Sequence, residues 1–161
     1  NQFHNQLNID AHYEFTGTEI VEQLKDANVE PDVFILGTGT GGTLMGAGKK
    51  IKEAFPNVKI VAIEPAESPV MSGGQPGIHG IQGIGDGSKF LVDLSFVDEV
   101  VTIETQCAIE FAKHVSKKHG LFLGISAGAN VKAAYLWLVD NKCKNAVTIL
   151  CDRGERYLSC L

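Results

Sequence analysis

The sequence predicts an α/β domain, a mostly parallel, twisted sheet flanked by helices. Three observations predict it. Short apolar runs alternate along the chain with segments of helical periodicity, the pattern of a parallel sheet with crossover helices. A glycine-rich turn lies between the first strand-like run and the helix that follows it. The strand, turn, helix and second strand from Val33 to Ile63 make one βαβ unit of about 30 residues.

In chain order, residues 1–15 read as irregular. Thr16-Gly17-Thr18-Glu19 matches a capping box, with Thr16 as N-cap, and Ile20, Val21, Leu24 and Ala27 follow at helical spacing. Pro31-Asp32 closes that unit. Val33–Leu36 is a buried strand, Gly37–Gly42 the glycine-rich turn, and Leu44, Ala47, Ile51 and Phe55 the apolar face of a helix that stops at Pro56-Asn57. Val58–Ile63 is the second strand. Residues 65–95 then carry Pro65, Pro69, Gly73, Gly74, Pro76, Gly77, Gly80, Gly83, Gly85 and Gly87, and so long a connection in a compact domain is either functional or disordered. Val97–Ile103 is a third strand. Ala108, Phe111, Ala112 and Val115 mark a helix ending near Gly120, and Val131, Ala134, Tyr135 and Leu138 mark another after Ser126. Ala146–Leu150 is the last strand. There is no internal repeat and no low-complexity segment.

Composition limits the function. The 161 residues suit one domain, and an apolar fraction of 44% supplies its core. With a net charge of −5 and no basic stripe, nucleic acid is not an expected partner. No run reaches the roughly 18 apolar residues of a membrane span, so no membrane partner is expected either. The start, Asn1 to Asn5, lacks signal-peptide anatomy and an initiator Met, giving the expectation that the chain begins inside a longer protein. Cys107, Cys143, Cys151 and Cys160 form no C-x-x-C pair, which argues against a disulfide framework or zinc site and suits a reducing, cytoplasmic setting. His4, His12, His79, His114 and His119 have no ligand spacing, so no metal is expected.

The chemistry concentrates in Gly37-Thr38-Gly39-Thr40-Gly41-Gly42-Thr43. A helix N-terminus carries unsatisfied N–H groups and partial positive charge, and glycines let backbone reach an anion unobstructed. Thr40 and Thr43 add hydroxyls. The bland alternative is a tight turn packed against a neighbouring strand. The kind of phosphate stays open at this point. Gly37, Gly39 and Gly42 satisfy G-x-G-x-x-G, and Glu64 ends the next strand, as in a dinucleotide site. A Walker-type loop is excluded, because no Gly-Lys-Ser/Thr follows.

Further segments discriminate. Gly39–Thr43, Glu64-Pro65-Ala66-Glu67-Ser68, Ile81-Gln82-Gly83-Ile84-Gly85, Gly124-Ile125-Ser126-Ala127-Gly128-Ala129 and Gly154-Glu155-Arg156-Tyr157-Leu158, in this order and spacing, resemble the cysteine synthase (O-acetylserine sulfhydrylase) family of fold-type II pyridoxal 5′-phosphate (PLP) enzymes. Gln2-Phe3-His4-Asn5 and the stretch from His12-Tyr13 to Thr16-Gly17 match too, so the resemblance covers nearly the whole chain. It implies the larger, C-terminal domain of that fold. It implies that Gly39, Thr40, Gly41, Gly42 and Thr43 hold the cofactor phosphate and that Ser126 meets the pyridine nitrogen. A serine cannot keep that nitrogen protonated as a carboxylate would, which suits β-elimination and replacement. Ser126 could otherwise simply cap the following helix. Gln2, Gly83 and Gly85 are implied on the substrate side, with an exposed terminus and a plain surface loop as the alternatives.

Cys151-Asp152-Arg153 looks like the B-type isozyme, associated with thiosulfate, whereas Glu64–Ser68 and Gln82–Gly85 look like the A-type. An inert, buried Cys151 at a strand end is the other expectation. The family's Schiff-base lysine precedes the matched region, and no lysine motif here corresponds to it. No catalytic residue is therefore assigned within the chain, which is expected to be inactive alone. For the full-length protein, the resemblance implies β-replacement on O-acetyl-L-serine by sulfide or thiosulfate to give cysteine, in a homodimer, with serine acetyltransferase as a partner. The competing readings are a cystathionine β-synthase-type replacement, a non-catalytic PLP- or phosphate-binding module, and an NAD-dependent oxidoreductase.

Overall fold

A computed structural model, describing residues 1–159, places four parallel strands in the order β3-β2-β1-β4. They are β1 (Val33–Gly37), β2 (Lys59–Pro65), β3 (Glu99–Ile103) and β4 (Ala146–Val147). Val33 pairs with Lys59 and Gly37 with Ile63, while Val61 pairs with Glu99 and Pro65 with Ile103. The strand period of two sorts the sheet's side chains into two layers. Val33, Ile35, Val61 and Ile63 pack towards Ile125, Ala129 and Trp137 of α5 (Ile125–Asn141) and Ala108 of α4 (Thr105–His119). Phe34, Leu36, Ile60 and Ala62 pack on the other face, against Leu44, Ala47 and Ile51 of α3 (Gly42–Ala54) and Val21 of α2 (Thr18–Asp26). Burial on both faces is why Val33–Leu36 of β1 and Ile60–Ile63 of β2 read as continuous apolar runs rather than alternating ones.

The chain leaves β1 through α3 for β2 on one side, but reaches β4 on β1's other side by way of α5. This reversal opens a crevice beyond the carboxyl end of β1, where ligands bind in open α/β sheets.

The first 30 residues depart from expectation. Residues 1–15 are mainly helical. Asn5 caps α1 (Gln6–Ala11), its side chain accepting from the Leu7 N–H at 3.0 Å. A single π-helical turn, His12–Gly17, then runs directly into α2. Thr16 therefore lies inside continuous helix and the capping box does not form, because the N–H groups it would satisfy already have helical partners. Its hydroxyl pairs with His12 Nδ1 at 2.9 Å instead. Gly17 lets this turn lie against α3, since a Cβ there would stand 2.6 Å from Lys50 Cβ.

The βαβ unit, α4 and α5 stand where expected, and α4 ends at Gly120, whose φ of +71° is left-handed. Only Ala146–Val147 of the last predicted strand pairs; beyond it the Thr148 hydroxyl donates to the Ile35 carbonyl at 2.6 Å. The connection from 66 to 98 contains no helix or strand. It is held against the glycine turn by the Gly85 N–H on the Thr38 carbonyl (3.1 Å) and the Leu91 N–H on the Thr40 carbonyl (3.0 Å). Cys107, Cys143 and Cys151 are free thiols, and Cys160 lies outside the described residues. Among the described residues no helix is long and apolar enough to cross a membrane, and no group of side chains could hold a metal ion.

Candidate functional site

The crevice beyond β1 is a cleft of about 600 Å³. Its walls come from Leu36 to Gly41 with Thr43 and Leu44, from Gln82 to Ile84, from Ser126, and from the segment holding Ile149, Cys151, Asp152, Arg156 and Tyr157. Its size falls in the range of small-molecule sites, about 300–1,000 Å³.

Three features shape the loop at the head of α3. Gly41 is its N-cap at φ +87°, a conformation that favours glycine. Close packing excludes side chains from the loop: a Cβ on Gly39 would stand 2.6 Å from the Gly83 carbonyl oxygen, and one on Gly42 would collide with the Asn8 carboxamide. Among the described residues, finally, no protein acceptor takes the N–H groups of Gly39, Thr40, Gly41 or Thr43. Free donors at the positive end of a 13-residue helix fit a phosphate monoester.

Polar side chains brace the loop from behind. Asn8 Nδ2 donates to Thr40 Oγ1 at 3.1 Å and to the Gln2 carbonyl at 2.9 Å. His12 Nε2 lies 3.1 Å from Thr43 Oγ1. Burial pushes the His12 imidazole below its usual range, so it is neutral at pH 7 and can donate to one threonine while accepting from the other.

Ser126 is buried and lines the same cleft. It does not cap α5. Gly124 is the N-cap, and the Asp152 carboxylate accepts from the Ser126 N–H (3.2 Å) and the Ala127 N–H (2.7 Å). The Ser126 hydroxyl is thus released from capping and meets Cys151 Sγ at 3.2 Å. Cys151 is neither buried nor at a strand end, as a residue it is exposed, and β4 stops four residues earlier. Its sulfur nevertheless sits between Ser126 and Asn130, and burial pushes the thiol up. Burial also pushes Tyr157 up, with the Asp152 carboxylate adding to it.

Gly39, Thr40, Gly41, Thr43, Gly83 and Ser126 all border the cleft, and Gly42 lies between them at the start of α3. Gly83, at φ +88°, has open space where a Cβ would stand. Gly85 is not in the wall; it abuts Pro65 and hydrogen-bonds Thr38, holding the 82–84 segment in place. Gln2 is exposed and reaches the loop only through its carbonyl and Asn8. The sequence reading missed Asn8, Asn130 and the capping role of Asp152. Asn130 is wholly buried, its Oδ1 accepting from the Gly37 N–H (2.8 Å) and its Nδ2 donating to the Ile149 carbonyl (2.9 Å), so it fixes the end of β1 to the cleft's far wall. Its signal was an amide on an otherwise apolar helix face.

Glu64 decides against a dinucleotide. It is buried, and its carboxylate accepts from the Met71 N–H, the Ser72 N–H and the Ser72 hydroxyl. It anchors the 69–74 turn, with no free oxygen aimed into the cleft for a ribose hydroxyl. Among the described residues no lysine lines the cleft.

Comparison with known proteins agrees with this geometry. The family model described as "Pyridoxal-phosphate dependent enzyme" matches residues 1–152. A cysteine synthase of Staphylococcus aureus is 42% identical over 160 residues, covering 98% of this chain and 51% of that protein. A hydrogen sulfide-producing enzyme from Fusobacterium nucleatum superposes with a TM-score of 0.93 at 43% identity, covering 98% of this chain and 48% of the other. An O-acetylserine sulfhydrylase isoform from Entamoeba histolytica does so with a TM-score of 0.89 at 44% identity, covering 99% and 47%. The chain spans about half the length of the curated relatives it matches.

Proposed function

Because the chain belongs to the family of pyridoxal-phosphate-dependent enzymes, we propose that it is the cofactor-holding part of an enzyme that makes L-cysteine by β-replacement on O-acetyl-L-serine, with sulfide or thiosulfate as sulfur source. The observation that carries this reading is the meeting, in one cleft, of a helix-capping glycine loop with free N–H donors and a buried serine hydroxyl relieved of capping. The names and likeness of the cysteine synthase relatives support the choice of reaction.

When bound, the cofactor supplies the electron sink that lets an amino acid lose its α-proton and β-substituent. This chain's residues orient and tune it. Gly39, Thr40, Gly41, Gly42 and Thr43 take the phosphate, with α3's N-terminal charge behind them. Ser126 presents a neutral hydroxyl to the ring nitrogen, so no carboxylate holds a proton there. Gly83 lets backbone approach on the substrate side, with Gly85 fixing the loop and Gln2 at its outer margin. The Schiff-base lysine and the substrate's carboxylate site belong to the family's preceding domain in this reading, with residues 1–161 as one phosphate-binding domain. A homodimer, a serine acetyltransferase partner and a cytoplasmic setting rest on family resemblance alone and are part of the same proposal.

The test is equilibrium dialysis of this chain with PLP and, separately, with NADH, followed by borohydride treatment. The expected result is PLP retained in the cleft without a stoichiometric borohydride-fixed bond, and no NADH retention. Retention of NADH without PLP would overturn the proposal.

A further inference from the structure

Ser126 and Cys151 carry one more step, which rests on the reading of the cleft as a PLP site. We propose that Cys151 is a positioning residue that sets the direction of the Ser126 hydroxyl proton, so that Ser126 donates into the cleft to an unprotonated aromatic ring nitrogen.

The donors and acceptors around the sulfur assign the protons. The Asn130 carboxamide is fixed by the Gly37 N–H on its Oδ1 and by the Ile149 carbonyl on its Nδ2. Its donor end therefore also faces Cys151 Sγ, at 3.7 Å. An NH₂ group cannot accept, so the sulfur accepts there. The thiol's own proton then has two candidate acceptors, Ser126 Oγ at 3.2 Å and Asp152 Oδ1 at 3.9 Å. Ser126 Oγ is the nearer by 0.7 Å, well within hydrogen-bond range of sulfur, whereas Asp152 Oδ1 lies at the limit of that range. The thiol donates to Ser126 Oγ. Having accepted that hydrogen bond, Ser126 turns its own hydrogen to an acceptor in the cleft. Burial of the sulfur keeps the thiol protonated and able to donate at neutral pH. With the opposite polarity Ser126 would offer only a lone pair, which could meet only a protonated ring nitrogen.

The experiment uses two probes without an aldehyde, so that surface lysines do not react: pyridoxine 5′-phosphate, and its 1-deaza analogue, in which carbon replaces the ring nitrogen. Dissociation constants are measured by fluorescence for the unmodified chain and for Cys151→Ala, Cys151→Ser and Ser126→Ala, with thermal melting to verify folding. Cys151→Ala is expected to weaken pyridoxine phosphate by about three- to fivefold, the order of one weak hydrogen bond, and to leave the deaza analogue unchanged. Cys151→Ser, which keeps a donor at that place, restores the nitrogen-containing ligand to within about twofold. Equal weakening of both ligands by Cys151→Ala, or no weakening of either, would overturn the assignment and leave Cys151 as packing. A different outcome sinks the underlying PLP reading: no preference for the ring nitrogen in the unmodified chain, with Ser126→Ala indistinguishable from it.

Discussion

Replacing Gly41 by Ala tests the proposed phosphate loop most sharply. Gly41 sits at φ +87°, where an L side chain costs about 1–2 kcal/mol. The new Cβ would also stand 2.5 Å from Val92 Cγ2 and 2.9 Å from Val92 N, against ordinary contacts that begin near 3.4 Å. Val92 cannot yield easily, being 3% exposed with its N–H donating to the Lys89 carbonyl at 2.8 Å. The loop must move by about 0.5–0.9 Å instead. A shift of that size takes an N–H···O bond of about 2.9 Å out of range. Losing one charged hydrogen bond costs roughly 1.5–3 kcal/mol, or about 10- to 100-fold in affinity. Strain and overpacking together should lower stability by roughly 2–4 kcal/mol. Pyridoxine 5′-phosphate titration reads the first effect and urea unfolding the second. Gly73→Ala is the control, because Gly73 shares the φ of +87° but has nothing within 4 Å of the new Cβ. It should lose only the strain energy and keep full affinity. A Gly41→Ala chain that binds as tightly as the unmodified one would refute the reasoning.

The remaining predictions concern groups that hold the site in place. Asp152→Ala strands the Ser126 and Ala127 N–H groups at the start of α5 and should cost about 1–2 kcal/mol in urea unfolding. An unchanged midpoint would show that water replaces the cap at no cost. Glu64→Ala leaves three donors of the 69–74 turn unpaired and should cost roughly 3 kcal/mol while leaving ligand affinity within about twofold. A large loss of affinity with little loss of stability would point to a ligand contact. Burial alone would raise the Asp98 carboxyl, but the Ile60 N–H and the Lys52 and Lys59 ammonium groups hold it at about 2. Its unfolded value is about 3.9, so its contribution is complete above that pH and is lost as pH falls towards 2. Asp98→Asn should remove about 1–2 kcal/mol at pH 7, after discount for partial exposure, and the deficit should shrink between pH 5 and 3. A deficit constant over that range would contradict the assignment.

The parts of this protein legible from sequence are those where local pattern and tertiary need coincide. Val33–Leu36 and Ile60–Ile63 are apolar on both faces because both faces are covered, and the turn between strand and helix advertises itself by its glycines. Thr16–Glu19 misled, since a capping box is a local signal and helix continuing from Asn5 overrode it. The last strand is shorter than its pattern suggests: Ala146, Val147, Ile149 and Leu150 are apolar, yet only Ala146 and Val147 find a strand partner. Asn8, Asn130 and the capping role of Asp152 escaped notice for a common reason. Each acts on backbone or side chains distant in sequence, Asn130 on Gly37 and Asp152 on Ser126, and no spacing rule reports such pairings. Cys151 was visible only as a departure from a motif; its contact with Ser126 needed three dimensions.

The most direct test of a cofactor site at the carboxyl end of β1 is an amide-resolved NMR titration of this chain with PLP. The expected result is saturable shifts concentrated at Gly39 to Thr43 and at Ser126, with the Glu64 region unmoved and NADH silent. Shifts scattered over surface lysines, or shifts at the loop with NADH but not PLP, would contradict it.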